Sequence, residues 1–401
     1  MSNKPSLSLR DLTLRNRTVL MRVDFNVPLA KNGTITDDTR ILAALPCIQY
    51  VLDQGASLVL ISHLGRPKDQ YKPDLSLKPC AERLSQLLHK PVPLAPDCVG
   101  PEVQKLVKNM QPGQILILEN LRFHRAEEHP GEDPSFAKQL ADLGDVYVNN
   151  AFGTAHRAHS STVEIVKYFR DKRAAFPGFL MEKEMEYLGT TLLHPKRPFY
   201  AIIGGAKVSS KIGVIKALLT KADAVLIGGG MAYTFLKAQG IPVGNSLHED
   251  DCLEQAREIL SIAKTQNKVL YLPSDHVAVK QIDHPEEKIT CDHIPDGFQG
   301  VDIGPKTIKI YTAALKKAAT ILWNGPLGIF EVSPFGTGTN AIAQVLADST
   351  ATTVVGGGDS IAALQKVGLS DQISHISTGG GASLEYIEYG TLPGIEALVL
   401  N

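Results

Sequence analysis

Three arginines stand just past short apolar runs of this 401-residue chain: Arg66 after residues 57–62, Arg122 after 115–119 and Arg157 after 145–149. His63, His156, Asp24 and Asn26 sit at the same kind of position, and Arg40 follows a turn-like stretch at 32–38. Guanidinium and imidazole groups gathered at strand ends make a convergent cationic set that would bind a small anion, with Asp24 and Asn26 as partners for a hydroxyl or amide. The second half ends its apolar runs differently. Gly204-Gly-Ala-Lys207-Val-Ser-Ser-Lys211 follows Phe199–Ile203, and three consecutive glycines at 228–230 follow Ala224–Ile227. Asn324-Gly-Pro-Leu-Gly328, Gly356-Gly357-Gly358-Asp359-Ser360 and Thr378-Gly-Gly-Gly381 are similarly placed. Glycine lets backbone N–H groups approach a ligand closely, and a helix N-terminus favours phosphate. Five such turns in one half suit a nucleotide. Asp359 is placed to hold Mg2+, a hard cation that prefers oxygen, and Lys211 to neutralise a phosphoryl group in transfer.

Short, nearly continuous apolar segments must carry these residues. Nine are legible, at 18–23, 57–62, 115–119, 145–149, 199–203, 224–227, 268–272, 320–323 and 352–355. Such runs read as strands buried on both faces, and helix-like segments at 77–88, 252–263 and 307–318 alternate with them. The pattern predicts an α/β fold with mainly parallel sheets, three-layer α/β/α and Rossmann-like. Nine strands could form one large sheet. The middle argues for two: residues 181–192 read as a charged amphipathic helix, punctuated by Pro177-Gly178 before it and Pro195 and Pro198 after it. The expected organisation is an N-terminal domain at 1–175, a joining helix and hinge at 176–198, a C-terminal domain at 199–385 and a tail at 386–401.

Lys and Arg total 41 against 42 Asp and Glu, a net charge of −1, with 43% hydrophobic residues. That balance excludes a disordered chain and a general nucleic-acid binder. Residues 1–170 are net +3 and residues 171–401 net −4, in keeping with an anion site in the first half. The five cysteines form no C-x-x-C, which argues against a disulfide framework and for a reducing compartment. No apolar run reaches the roughly 18 residues of a membrane span, and MSNKPSLSLR lacks the apolar core of a secretory signal. A cytoplasmic protein without nucleic-acid or membrane partners is expected.

Several motifs are decoys. Gly336-Thr-Gly338-Thr-Asn-Ala341 matches the dinucleotide fingerprint, but no clear strand precedes it, so it reads as a chance match or a helix start. Gly-Lys never occurs, which excludes a Walker A loop. The group His276, His284, Cys291, Asp292 and His293 fits no zinc spacing. His156 and His159 suit a metal or an anion equally. A nicotinamide-dependent dehydrogenase and a non-enzymatic two-domain solute-binding protein are the alternative functions. The Lys211/Asp359 pair argues against the second.

The blocks together resemble the phosphoglycerate kinase family, in order and across almost the whole chain. They are Val19-Leu-Met-Arg-Val-Asp24-Phe-Asn26-Val-Pro28, His63-Leu-Gly-Arg66-Pro67, Glu119-Asn-Leu-Arg122-Phe-His124 and Ala155-His-Arg157-Ala-His159. The glycine-rich blocks above, Asp302-Ile-Gly-Pro-Lys306, and Trp323 through Glu331 complete the set. The resemblance implies reversible phosphoryl transfer from 1,3-bisphosphoglycerate to ADP, with domain closure, in a monomer. It implies an N-terminal domain for 3-phosphoglycerate or 1,3-bisphosphoglycerate, bound by Asp24, Asn26, Arg40, His63, Arg66, Arg122 and Arg157. It implies a C-terminal domain for Mg-ADP or Mg-ATP, bound by Lys207, Lys211, Gly300, Asn324, Glu331, Gly357, Gly358, Asp359 and Ser360. Glu331 would take the ribose and Asp359 the metal, and the tail would return to the N-terminal domain. Ser360 stands where threonine is more usual in the family and keeps the hydroxyl. The attacking carboxylate of the reverse reaction is already ionised at pH 7, so no general base is needed. Arg40, Lys211 and the N–H groups of Gly357 and Gly358 are the expected catalytic set.

Overall fold

The computed structural model describes residues 8–170, 174–192 and 194–399. The first seven residues of the N-terminal stretch and the last two of the expected tail lie outside them. The chain divides into two units. The first runs to Glu186 and takes up the chain again from Thr391; the second is Tyr187–Gly390.

The first unit is built on five strands: β1 (Thr18–Val23), β2 (Ser57–Ile61), β3 (Ile115–Ile117), β4 (Val146–Asn150) and β5 (Ala175–Pro177). All pair in parallel, in the order β3-β2-β1-β4-β5. Side chains alternate across the sheet. Val19, Met21 and Val23 therefore enter one core layer, with Ile48, Val51 and Leu84 of two covering helices. Leu20 enters the opposite layer with Tyr147, Phe136 and Leu140. Both faces are buried, which is why β1 reads as a nearly continuous apolar run, broken only by Arg22 after its first residue, Thr18. The helix Pro393–Val399 adds Ala397 and Leu398 to the second layer, and Gly394 N donates to Ala155 O at 2.8 Å.

The second unit holds β6 (Phe199–Ile203), β7 (Ala224–Ile227), β8 (Val269–Tyr271), β9 (His276–Val279), β10 (Ile289–Cys291), β11 (Gln299–Ile303), β12 (Thr320–Asn324), β13 (Thr352–Gly356) and β14 (His375–Ile376). Six form a parallel sheet in the order β14-β13-β12-β6-β7-β8. The other three form a small antiparallel sheet, β10-β9-β11, which the sequence pattern did not reveal. In both parallel sheets the first strand lies inside, with the next two strands on one side and the later ones on the other. The order thus reverses between β1 and β4 and between β6 and β12. Ligands of open α/β sheets bind beyond the strand ends at such a switch point.

One expectation needs adjustment and one is met. The helix expected over 181–192 is α-helical only over Phe179–Glu184 and continues as a π-helix over Met185–Thr191. Gly189 and the β-branched threonines after it are weak α-formers, and a Cβ at Gly189 would stand 2.7 Å from Tyr386 OH. The dinucleotide-like motif is a helix start, with Gly336 as N-cap of Thr337–Ala347.

Candidate active site

Four of the glycine turns converge at the β6/β12 switch point. Gly204 N donates to Asn324 O and Gly205 N to Pro326 O, both at 2.9 Å. Gly229 N donates to Leu327 O at 3.1 Å, and Met231 N returns to Gly205 O. Gly325 N donates to the buried Ser360 hydroxyl at 2.6 Å, tying in the turn after β13. This closeness is what the glycines allow. A Cβ at Gly325, whose φ is +96°, would stand 2.2 Å from Gly204 O.

Lys211 lies at the centre. Its Nζ donates to Gly204 O at 2.7 Å, Asn324 Oδ1 at 2.8 Å and Asn324 O at 3.3 Å. Burial pushes the ammonium down to about 8, against a smaller opposing pull from Asp359. Gly357, at φ +90°, is the N-cap of the helix Gly358–Lys366, and Asp359 lies exposed in its first turn. One exposed carboxylate is the donor set Mg2+ uses when substrate phosphates complete its shell, so the residues fit that ion. Gly300 N donates to Ser246 Oγ at 2.8 Å, and a Cβ there would stand 2.0 Å from Tyr233 OH. Lys207 and Glu331 are exposed; Lys366 Nζ donates to the backbone oxygens of Phe330 and Glu331. The fifth glycine run, at 379–381, leads into the helix Gly381–Tyr389.

The first unit's strand ends form a second polar cluster. Arg40 is paired with Asp24, and Gly65 N donates to Asn26 Oδ1 at 2.8 Å. Arg122 Nη1 donates to Gly65 O at 3.1 Å, and its Nε lies 3.3 Å from Glu128. Arg66 and Arg157 are exposed; the charge of Arg66 acts on Arg122 and that of Arg157 on His159. His63 departs from expectation, because it is not a cation. It is buried, and burial, reinforced by the guanidiniums of Arg22, Arg122 and Arg40 and by His159, holds it well below the usual histidine range. His159 is likewise pushed down to about 3, chiefly by burial.

Beneath this cluster lie residues that sequence reasoning missed. Arg22, inside β1, is fully buried; it bonds His63 and Ser161, and Ser161 bonds the buried Glu127. The signal was an arginine inside an apolar strand, which demands buried partners. Among the described residues, one group of three or more metal-type ligands lies close together: Asp97, Cys98 and His124. His124 Nε2 meets Asp97 Oδ1 at 2.6 Å, a hydrogen bond. Two ligands of one tetrahedral metal would stand about 3.3 Å apart. His156 and His159 belong to no such group.

Fold and sites define a two-unit α/β phosphotransferase, with a guanidinium-rich cluster in one unit and glycine turns around a lysine in the other. The model of the family described as phosphoglycerate kinase matches residues 9–389. A phosphoglycerate kinase of Moorella thermoacetica is 52% identical over 394 residues, covering 98% of both chains. One from Chlorobium limicola is 53% identical over 396 residues, again covering 98% of both. The structure of phosphoglycerate kinase from Coxiella burnetii superposes with a TM-score of 0.88 at 41% identity, covering 99% of each chain. That from Pyrococcus horikoshii OT3 superposes at 0.84 with 34% identity and 98% coverage of each. This chain belongs to the phosphoglycerate kinase family. Its activity is the family's: reversible phosphoryl transfer from 1,3-bisphosphoglycerate to ADP, giving 3-phosphoglycerate and ATP.

Proposed function

We propose that the transfer is run by charge neutralisation and positioning alone, with Lys211 as its centre. The observation that supports this is an ammonium held at the switch point by three backbone and amide oxygens, under four converging glycine turns. Lys211 and Arg40 neutralise the phosphoryl group in flight, and the N–H groups of Gly357 and Gly358 at a helix start share its charge. Such a transfer needs no general base, since the carboxylate that attacks in the reverse direction is ionised at neutral pH.

The remaining roles divide between the units. Arg66, Arg122, Arg157 and His63 hold the far phosphate or the carboxylate of the three-carbon substrate. Asp24 and Asn26 take its hydroxyl. Lys207, Gly300, Asn324, Ser360 and Glu331 hold the nucleotide, with Glu331 on the ribose. Asp359 would hold Mg2+, which when bound offsets the negative charge of the nucleotide phosphates. The two substrates are held by different units, 1–175 and 199–385 in the sequence division, so the units close on each other for transfer; closure also excludes water. The enzyme works as a cytoplasmic monomer.

The test is turnover of ATP with 3-phosphoglycerate and Mg2+, coupled to NADH oxidation by glyceraldehyde-3-phosphate dehydrogenase. Signal that disappears when either substrate or Mg2+ is left out supports the reading. Folded protein that binds ATP yet shows no turnover overturns it.

A further inference from the structure

An imidazole can donate, accept or carry charge, so residue type alone leaves the role of His63 open. The structure narrows it to one. Nδ1 of His63 faces Nη2 of Arg22 at 3.1 Å. A guanidinium only donates and stays protonated, so Nδ1 is the acceptor and bears no hydrogen. We propose that Arg22 locks His63 as the neutral Nε2–H tautomer and that Ser161 and Glu127 are the positioning residues that hold Arg22 to this task. His63 then meets the anionic substrate as a hydrogen-bond donor and not as a cation.

The polarity at Arg22 is forced, because a guanidinium has only donors. Arg22 Nε donates to Ser161 Oγ at 2.9 Å. The serine's single proton is free to go the other way, and Ser161 Oγ lies 2.6 Å from Glu127 Oε1. Ser161 N donates to the other carboxylate oxygen at 3.0 Å, so Glu127 is held against Ser161 through both of its oxygens. Arg22 Nη1 donates to Val23 O. All three guanidinium nitrogens thus have fixed acceptors, and the group has no freedom to rotate. Arg22, Ser161 and Glu127 are fully buried and His63 is 3% exposed, so water does not compete for these bonds. The low proton affinity of His63 agrees with this arrangement but is not needed to derive it. A donor fixed before the substrate arrives spares the reordering that binding would otherwise require.

The role toward substrate rests on the function proposed above. The tautomer does not, and can be read in the free protein. The measurement is two-bond 1H–15N correlation NMR on the full chain labelled with 15N-histidine, with His63 assigned by loss of its signals in His63→Gln. The expected pattern is one protonated and one bare nitrogen, with Nε2 protonated, unchanged across pH 6–8. An Nδ1–H or doubly protonated ring at pH 7 overturns the proposal without any variant. In Ser161→Ala the ring is expected to show mixed tautomers, and KM for 3-phosphoglycerate to rise about five-fold with kcat within about two-fold. Ser161→Thr, which restores the hydroxyl, should return both. An unchanged tautomer and KM in Ser161→Ala removes Ser161 and Glu127 from the proposal. Absence of kinase turnover in the unaltered protein would defeat the functional reading while leaving the NMR result standing.

Discussion

Lys211 makes the fold carry a charge it would be more stable without, and this can be measured through pH. In the unfolded chain its ammonium titrates near the ordinary 10.5; in the folded protein burial brings it down to about 8. Between these values the unfolded state binds more protons than the folded one, so stability must rise with pH. Below pH 8 the folded protein holds a buried ammonium and the penalty is fully present. Above 8 the lysine loses its proton in the fold and the penalty fades, until the unfolded chain also deprotonates near 10.5. With these two values, the gain from this group between pH 7 and 9.5 is about 2 kcal/mol. Other groups titrate in the same range, so the quantity to measure is the difference between the unaltered protein and Lys211→Met. The chain's single tryptophan makes this practical. Trp323 lies fully buried in β12 beside Asn324 and donates through Nε1 to Gly325 O at 2.8 Å, so its fluorescence follows the unit that holds Lys211. Urea unfolding without nucleotide at pH 7 and 9.5 gives the two differences. The unaltered protein should gain about 2 kcal/mol on the variant between them. A difference that stays constant, or that moves the other way, would refute the claim that burial of this charge strains the fold.

The same Lys211→Met variant should lose kcat by about 10²- to 10³-fold, the scale of removing one preorganised charge partner, while nucleotide affinity measured by calorimetry changes little. Near-normal kcat would remove Lys211 from the transfer. Arg66→Ala should raise KM for 3-phosphoglycerate by roughly ten-fold or more and leave the nucleotide Kd within about two-fold; equal losses in both would contradict the division of ligands between units. Gly325→Ala puts a methyl group 2.2 Å from Gly204 O and 2.7 Å from Lys211 Nζ, at a φ of +96°. It should lower the urea stability by about 2 kcal/mol or more and cut kcat as well. A stable, active alanine variant would show that the turns need not be packed so closely.

The parallel strands were the most legible part of the molecule. The limits of β1, β6 and β7 fall where their apolar runs begin and end, because strands buried on both faces need apolar residues throughout. β14 is only two residues long, and β5, Ala175-Phe-Pro177, ends in a proline that reads as the start of the hinge. The antiparallel sheet escaped because β10 is only partly buried and β11 begins with Gln299 and Gly300, so neither shows a run or a clean alternation. At the candidate sites, glycine and arginine at strand ends were visible because these residue types stand out beside apolar runs. Glu127 and Ser161 left none; a glutamate next to Glu128 in a polar stretch reads as surface until the fold buries it. The motif placed His63 among cations but could not give its protonation, since burial and surrounding guanidiniums are properties of the fold.

The return of the chain from Thr391 onward bears on how the protein is made. A ribosome releases the chain from its N-terminus, so the β3-β2-β1-β4-β5 sheet is synthesised early. Ala397 and Leu398, which fill part of one layer over that sheet, emerge only after Tyr187–Gly390 has been made. The first unit therefore stays incomplete while the whole of Tyr187–Gly390 is translated and folds. Completion of the first unit thus waits for residues beyond 390, and a product that stops short of residue 391 exposes a gap in an otherwise finished core.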